Sequence, residues 1–232
     1  MDVNFAHLAA WYVVFVFSTT FHEFAHAFVA YRGGDLTAYE GGQLSLDPLP
    51  HMRREPVGMV LVPLLSFVFA GWMIGWASVP FDPSWGRRNP LRQGVMSLAG
   101  PLANLLLALI AFAALKALLA AHVFTLPASL SFSQVVEAAG GGDGRSPLAA
   151  AAMLLSILLN LNVLLCLFNL IPVPPLDGAG VLEGFFNRSL GPLYDRLREI
   201  PMMGLLGLLI AWKLFDFVAP PAVSTTLRLL YH

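Results

Sequence analysis

Phe21-His22-Glu23-Phe24-Ala25-His26 sits inside an apolar run from Leu8 to Tyr31, and the reading of that stretch decides the fold. On a helix, His22 and His26 stand one turn apart on the same face, so two imidazoles can bind one Zn²⁺. Glu23 lies beside His22, where its carboxylate can reach a metal-bound water and take its proton. A pair of core histidines with an incidental acid is the plainer alternative. Burying His, Glu and His within one turn of a membrane helix is costly, however, and ionisable residues in such a span are functional by default.

The surroundings support a span. Of 232 residues, 57% are hydrophobic and 12% charged, and the mean hydropathy is +0.72. A soluble chain of this length could not hide so much apolar surface, so the expected class is an all-α polytopic membrane protein. A net charge of −1 and the lack of any basic, aromatic-laced stretch argue against nucleic acid as a partner. The single Cys166 allows no internal disulfide and reads as a small buried hydrophobe. The N-terminus lacks the basic region and cleavage site of a signal peptide, so the first span is expected to be retained.

Outward from that span, Gly33-Gly34 ends the helix, and Asp35 to Pro48 alternates polar and apolar residues around Glu40-Gly41-Gly42. This predicts a small extended hairpin near the metal end. His51, in a loop beside Arg53 and Arg54, reads as an interfacial residue rather than a third ligand. Gly58 to Trp76 is apolar but interrupted by Pro63, Gly71 and Gly75. Gly94–Ala121 and Leu148–Ile171 are spans, joined by a loop whose Gly140-Gly141-Gly142-Asp143-Gly144 reads as a flexible connector. Pro172-Val173-Pro174-Pro175-Leu176-Asp177-Gly178 then breaks the helix, leaving Asp177 placed to lean toward a metal. Leu182–Ile200 is amphipathic and reads as an interfacial helix. Met202–Val218 is a short last span, followed by a tail from Pro220-Pro221.

Topology follows from the site. If Asp177 joins His22 and His26 at one depth, the first span and Leu148–Ile171 run in the same direction, and an odd number of crossings separates them. Two candidates lie between, so one does not cross, and the Pro/Gly-broken Gly58–Trp76 is the natural re-entrant segment. Arg32, Arg53, Arg54, Arg87, Arg88, Arg92, Arg188, Arg196 and Arg198 then share one side. The positive-inside rule places the metal end nearer the cytoplasm. The expectation is four full transmembrane helices plus a re-entrant segment.

With these residues in place, the chain resembles the site-2 protease family of intramembrane zinc metalloproteases. The likeness rests on His22-Glu23-x-x-His26, on Asn169-x-x-Pro172-x-Pro174-x-Leu176-Asp177-Gly178, and on Ala99-Gly100-Pro101-Leu102-Ala103-Asn104. It implies His22, His26 and Asp177 as Zn²⁺ ligands, Glu23 as general base, and a transmembrane protein as the substrate cleaved within the lipid bilayer. Asn169 and Asn104 are candidate donors to the developing oxyanion or the substrate. The expected form is compact, without accessory domains: the loop His122–Pro147 is too short for a PDZ domain, and a CBS domain after Val218 is not expected. Ala179-Gly180 after the Asp-Gly pair departs from many members, which leaves substrate selection unread.

The expected organisation is one membrane-embedded domain over 1–232 in a prokaryotic cell membrane. Its catalytic core covers about 8–182, with an interfacial helix and last span over 183–218 and a tail over 219–232. Two rivals stay open at this point. A prenyl-protein-type peptidase would take Glu183 or Glu199 as third ligand, and a zinc transporter or binder would use Glu23 as a ligand.

Overall fold

The computed structural model describes residues 4–140 and 146–232, so most of the Gly140–Gly144 connector lies outside the described residues. Four helices are long and apolar enough to cross a membrane: α1 (Phe5–Arg32), α6 (Pro90–Ala120), α7 (Pro147–Asn169) and α10 (Met203–Tyr231). Between them lie α2 (Thr37–Glu40), α3 (Pro48–Arg54), α4 (Val57–Ala70, opening with a π-wound turn Val57–Leu61), α5 (Pro83–Arg88), α8 (Asp177–Phe185) and α9 (Asn187–Glu199). Helix α6 is the hub, packing on α1, α7 and α8.

Helix α1 buries Trp11, Phe15, Ser18, His22, His26 and Ala30 on one face, a three-four spacing that turns the polar residues toward the bundle. Its end is fixed by the Gly33 carbonyl, which accepts from Trp85 Nε1 and Arg92 Nη1, both at 3.0 Å. The start of α6 therefore lies beside the end of α1, and the two helices are antiparallel.

Helix α4 settles the question raised by Gly58–Trp76. At about 1.5 Å per residue it is about 21 Å long, short of a hydrocarbon core of about 30 Å. It ends at Gly71, whose φ of 76° turns the chain back. On the return, Trp76 N donates to Gly58 O at 3.1 Å, and Ser78 Oγ donates to Glu55 Oε1 at 2.5 Å. Both flanks of the segment lie together, so it enters and comes back. The approach is so close that a Cβ on Gly58 or Gly75 would run into backbone of the other limb.

Three expectations are corrected. The stretch 35–48 forms no hairpin; it holds α2 and the start of α3. Asp35 Oδ1 accepts from Thr37 N at 2.9 Å, and Asp47 caps α3 by accepting from Leu49 N with Pro48 at the first helical position. Local capping outweighs a weak alternation. The only strand pair among the described residues is β1 (Phe124–Thr125) with β2 (Glu137–Ala138), in the loop between α6 and α7.

The amphipathic stretch 182–200 divides into α8 and α9 near Phe186 rather than forming one helix. The final helix does not stop at Val218. It continues through Pro220 and Pro221 to Tyr231, because its last turn is held by packing. Leu230 joins Ala108, Ala111, Leu115, Phe124 and Val136 in an apolar cluster. Lys116 Nζ donates to Leu229 O at 2.7 Å, and Tyr231 Oη to Val135 O at 2.8 Å.

Candidate metal centre

His22 and His26 lie about 15 and 9 Å along α1 from its Arg32 end, so the site is set well inside the span. Asp177 comes from the N-terminal residue of α8, after the proline loop that follows α7. That loop is gripped from two sides. Tyr194 Oη of α9 donates to Pro172 O at 3.0 Å, and Gly207 of α10 abuts the Pro174 carbonyl so closely that a Cβ would overlap it. Helix α8 lies on α6 through facing small residues, Gly180 against Ser97 and Gly184 against Gly94. A Cβ on Gly180 would run into the Ser97 side chain, so this glycine serves close packing.

The three side chains converge. His22 Nε2 and His26 Nε2 are 2.9 Å apart, and Asp177 Oδ2 lies 3.1 and 3.3 Å from them. For tetrahedral zinc with bonds of about 2.0–2.1 Å, ligand atoms lie about 3.3 Å apart. Among the described residues, this is the one group of three or more His, Cys, Asp or Glu side chains able to share an ion.

Hydrogen bonding tests the fit. His26 Nδ1 lies 2.7 Å from the Met96 carbonyl, which can only accept, so Nδ1 carries the proton. His22 Nδ1 lies 2.5 Å from Asn104 Oδ1 and donates likewise. Both Nε2 atoms therefore present lone pairs to each other and to a carboxylate oxygen that is buried without a hydrogen-bond partner. Three acceptors aimed at one point suit a cation between them, and two imidazoles with one carboxylate match a catalytic zinc donor set with room for a further ligand. Gly100 of α6 leaves the space: a Cβ there would collide with Nε2 of both histidines.

Glu23 is 5% exposed and stands between the two histidines in sequence. One turn earlier, the hydroxyls of Thr19 and Thr20 are also buried, with no hydrogen-bond partner among the described residues. The sequence reading did not single out this pair; two adjacent threonines preceding the His-Glu turn were the available signal.

Of the remaining candidates, only Asn104 touches the histidine pair. Asn104 is fully buried, with Oδ1 on His22 and Nδ2 donating to Asn162 Oδ1 at 2.8 Å, so it faces a metal-site histidine. Asn169 is half-buried at the end of α7, with Nδ2 on its own helix at Leu165 O, 3.0 Å away. His51 is neither at the site nor interfacial: it is fully buried, with Nε2 at 3.0 Å from Ser45 O. Glu183 is held by both guanidinium nitrogens of Arg198 and is not in the group of side chains able to share an ion. Cys166 is buried as expected.

The profile of peptidase family M50, the site-2 protease family, matches residues 41–212. "Putative zinc metalloprotease YwhC" of Bacillus subtilis is 34% identical over 172 residues, covering 74% of this chain and 66% of that protein. "Putative zinc metalloprotease Rip2" of Mycolicibacterium smegmatis is 30% identical over 189 residues, covering 80% of this chain and 60% of that protein. Its Mycobacterium tuberculosis H37Rv namesake is 29% identical over 204 residues, covering 88% and 66%. The chain thus spans a little under two thirds of the length of these relatives. No solved structure matches it. The profile match takes in the proline loop and Asp177 but begins after the His-Glu-His turn, and by this match the chain belongs to peptidase family M50.

Proposed function

We propose that the chain is an intramembrane zinc metalloprotease that hydrolyses a peptide bond within or near a transmembrane segment of another protein. The observation that carries this reading is the convergence of His22, His26 and Asp177 on one point inside the bundle, with Glu23 on the same helical turn. His22, His26 and Asp177 would hold the ion. When bound, zinc acts as a Lewis acid and lowers the pKa of a coordinated water toward about 7.

This chain's own groups do the rest. The Glu23 carboxylate accepts the proton of the attacking water and returns it to the leaving amide nitrogen. The bundle keeps bulk water away, so that charge forming on the scissile carbonyl is felt strongly by nearby dipoles. Asn169, with Oδ1 and one N–H uncommitted among the described residues, is the donor we assign to the substrate side. We place the site toward the cytoplasmic face, because Arg32, Arg53, Arg54, Arg87, Arg88, Arg92, Arg188, Arg196 and Arg198 fall on the side of the bundle where α1 ends and α6 begins, nearer the metal ligands. Residues 8–182 supply every group used and form the catalytic core in this reading.

The test is Glu23→Gln in the full chain. Loss of cleavage of a membrane-protein substrate by at least about 10³-fold, with bound zinc unchanged, is expected of a general base. A parallel loss of zinc would instead make Glu23 a ligand and sink the protease reading. Comparing membrane-embedded fragments in cells carrying either form would name the substrate.

A further inference from the structure

The two histidines are held in their metal-binding tautomers by different means, and the difference assigns a role to a residue on a third helix. The partner of His26 Nδ1 is the Met96 backbone carbonyl, which has no donor to offer. The partner of His22 Nδ1 is a side-chain amide, Asn104, which could present either its oxygen or its nitrogen. Presenting the nitrogen would put a donor against Nδ1, move the imidazole proton to Nε2, and remove the lone pair that faces the metal position.

What fixes the amide lies farther away. Asn104 Nδ2 donates to Asn162 Oδ1 at 2.8 Å. Asn162 Nδ2 in turn donates to the Leu158 carbonyl and to Ser18 Oγ, each at 2.8 Å. The Leu158 carbonyl can only accept, so it fixes Asn162 with its nitrogen toward the helix and its oxygen toward Asn104. The chain of donors then runs one way only, from His22 Nδ1 to Asn104, from Asn104 to Asn162, and from Asn162 to Leu158 and Ser18. All three side chains beyond His22 are 0% exposed, so water cannot substitute for a missing partner. The relay joins α1, α6 and α7 and returns to α1 one turn before it began.

We infer that Asn162 and Asn104 are positioning residues that lock the His22 tautomer, with its Nε2 lone pair toward the metal, through a one-way relay anchored on the Leu158 carbonyl. The inference rests on the metal-centre reading above. Outer partners of metal-bound histidines are typically worth about 10–100-fold in metal affinity.

The experiment is zinc affinity of the purified full chain in detergent, stripped of metal and titrated against a chromophoric chelator. Four variants are compared with the wild type: Asn104→Leu, Asn104→Asp, Asn162→Leu and His22→Ala. The inference expects Asn104→Leu and Asn162→Leu each to weaken zinc binding about 10–100-fold. Asn104→Asp, which keeps an acceptor on Nδ1 at the same site, should stay within about threefold of wild type by the same reasoning. Absorption of the Co²⁺-loaded protein should shift in the two Leu variants and be restored in Asn104→Asp.

If Asn104→Asp is as weak as Asn104→Leu, packing rather than the acceptor matters and the inference is overturned. Wild-type affinity in Asn162→Leu overturns it as well, since the orientation would then not come from α7. If His22→Ala itself binds zinc like wild type, the metal-centre reading fails, and the relay falls with it for that separate reason.

Discussion

The two ends of the bundle are built on opposite principles. At the end remote from the metal ligands, Ala111, Leu115, Ile157, Val136 and Leu230 are buried at 2% exposure or less, and the polar groups nearby are paired. At the metal end, helices approach through Gly94, Gly100, Gly180 and Gly184, and the space saved is filled with imidazole, amide and carboxylate. Asp177 Oδ2 there, and the hydroxyls of Thr19 and Thr20 one turn before His22 and Glu23, have no hydrogen-bond partner among the described residues. Apolar packing at one end holds a fold that can tolerate uncompensated polar groups at the other. A site needing free lone pairs is not a site that maximises stability.

Three substitutions would break or sharpen that contrast. The largest effect is expected of Gly100→Leu, which drives a side chain into both Nε2 atoms. Zinc affinity should fall by at least about 10³-fold, far beyond the loss of a single outer hydrogen bond, while helix content by circular dichroism is retained. If zinc still binds normally, α6 does not form the roof of the site.

Next is Leu115→Ala at the opposite end, which opens a cavity among close-packed side chains. A loss of about 2–4 kcal/mol in unfolding free energy is expected, with zinc affinity within about twofold of wild type because no metal-site group is touched. A large change in zinc binding would show that the ends are coupled, and the contrast would fail.

The smallest effect is expected of Arg198→Leu, which strips Glu183 of its forked partner near the end of α8. Arg198 keeps nearly half its side chain in contact with solvent, so the loss should be about 1 kcal/mol of stability. Thermal unfolding in detergent measures it.

Much of this was legible in the sequence. His22, Glu23 and His26 are local, and one turn of helix is enough to bring the imidazoles together. The non-crossing Gly58–Trp76 segment could be read because its Pro and Gly residues, the arginine distribution and the parity of crossings all pointed one way. What escaped was decided partly by short-range contacts that a weak alternation does not reveal and partly by partners distant in the chain. Asp47 caps α3, and Asp35 accepts from Thr37 at the start of α2 and from Asp82 N across the fold. The prolines at 220 and 221 did not end α10, because Leu230 and Tyr231 had docking sites on the α6–α7 loop and on α6 itself. Asn104 was singled out, but as a donor to substrate. Its place beside His22 depends on which face of α6 meets α1, and Asn162 enters only once α7 is set against both.

The ligands sit at positions 22, 26 and 177, on the first span and on a helix beyond the third. An ion shared by them would act as a removable cross-link closing most of the chain into a loop. Heat resistance should then track free zinc: at a hundredfold excess over its dissociation constant, a ligand bound only by the folded state adds about 2.7 kcal/mol. Chelation would loosen the whole bundle as well as silence its chemistry, and supplying the metal would tighten it again.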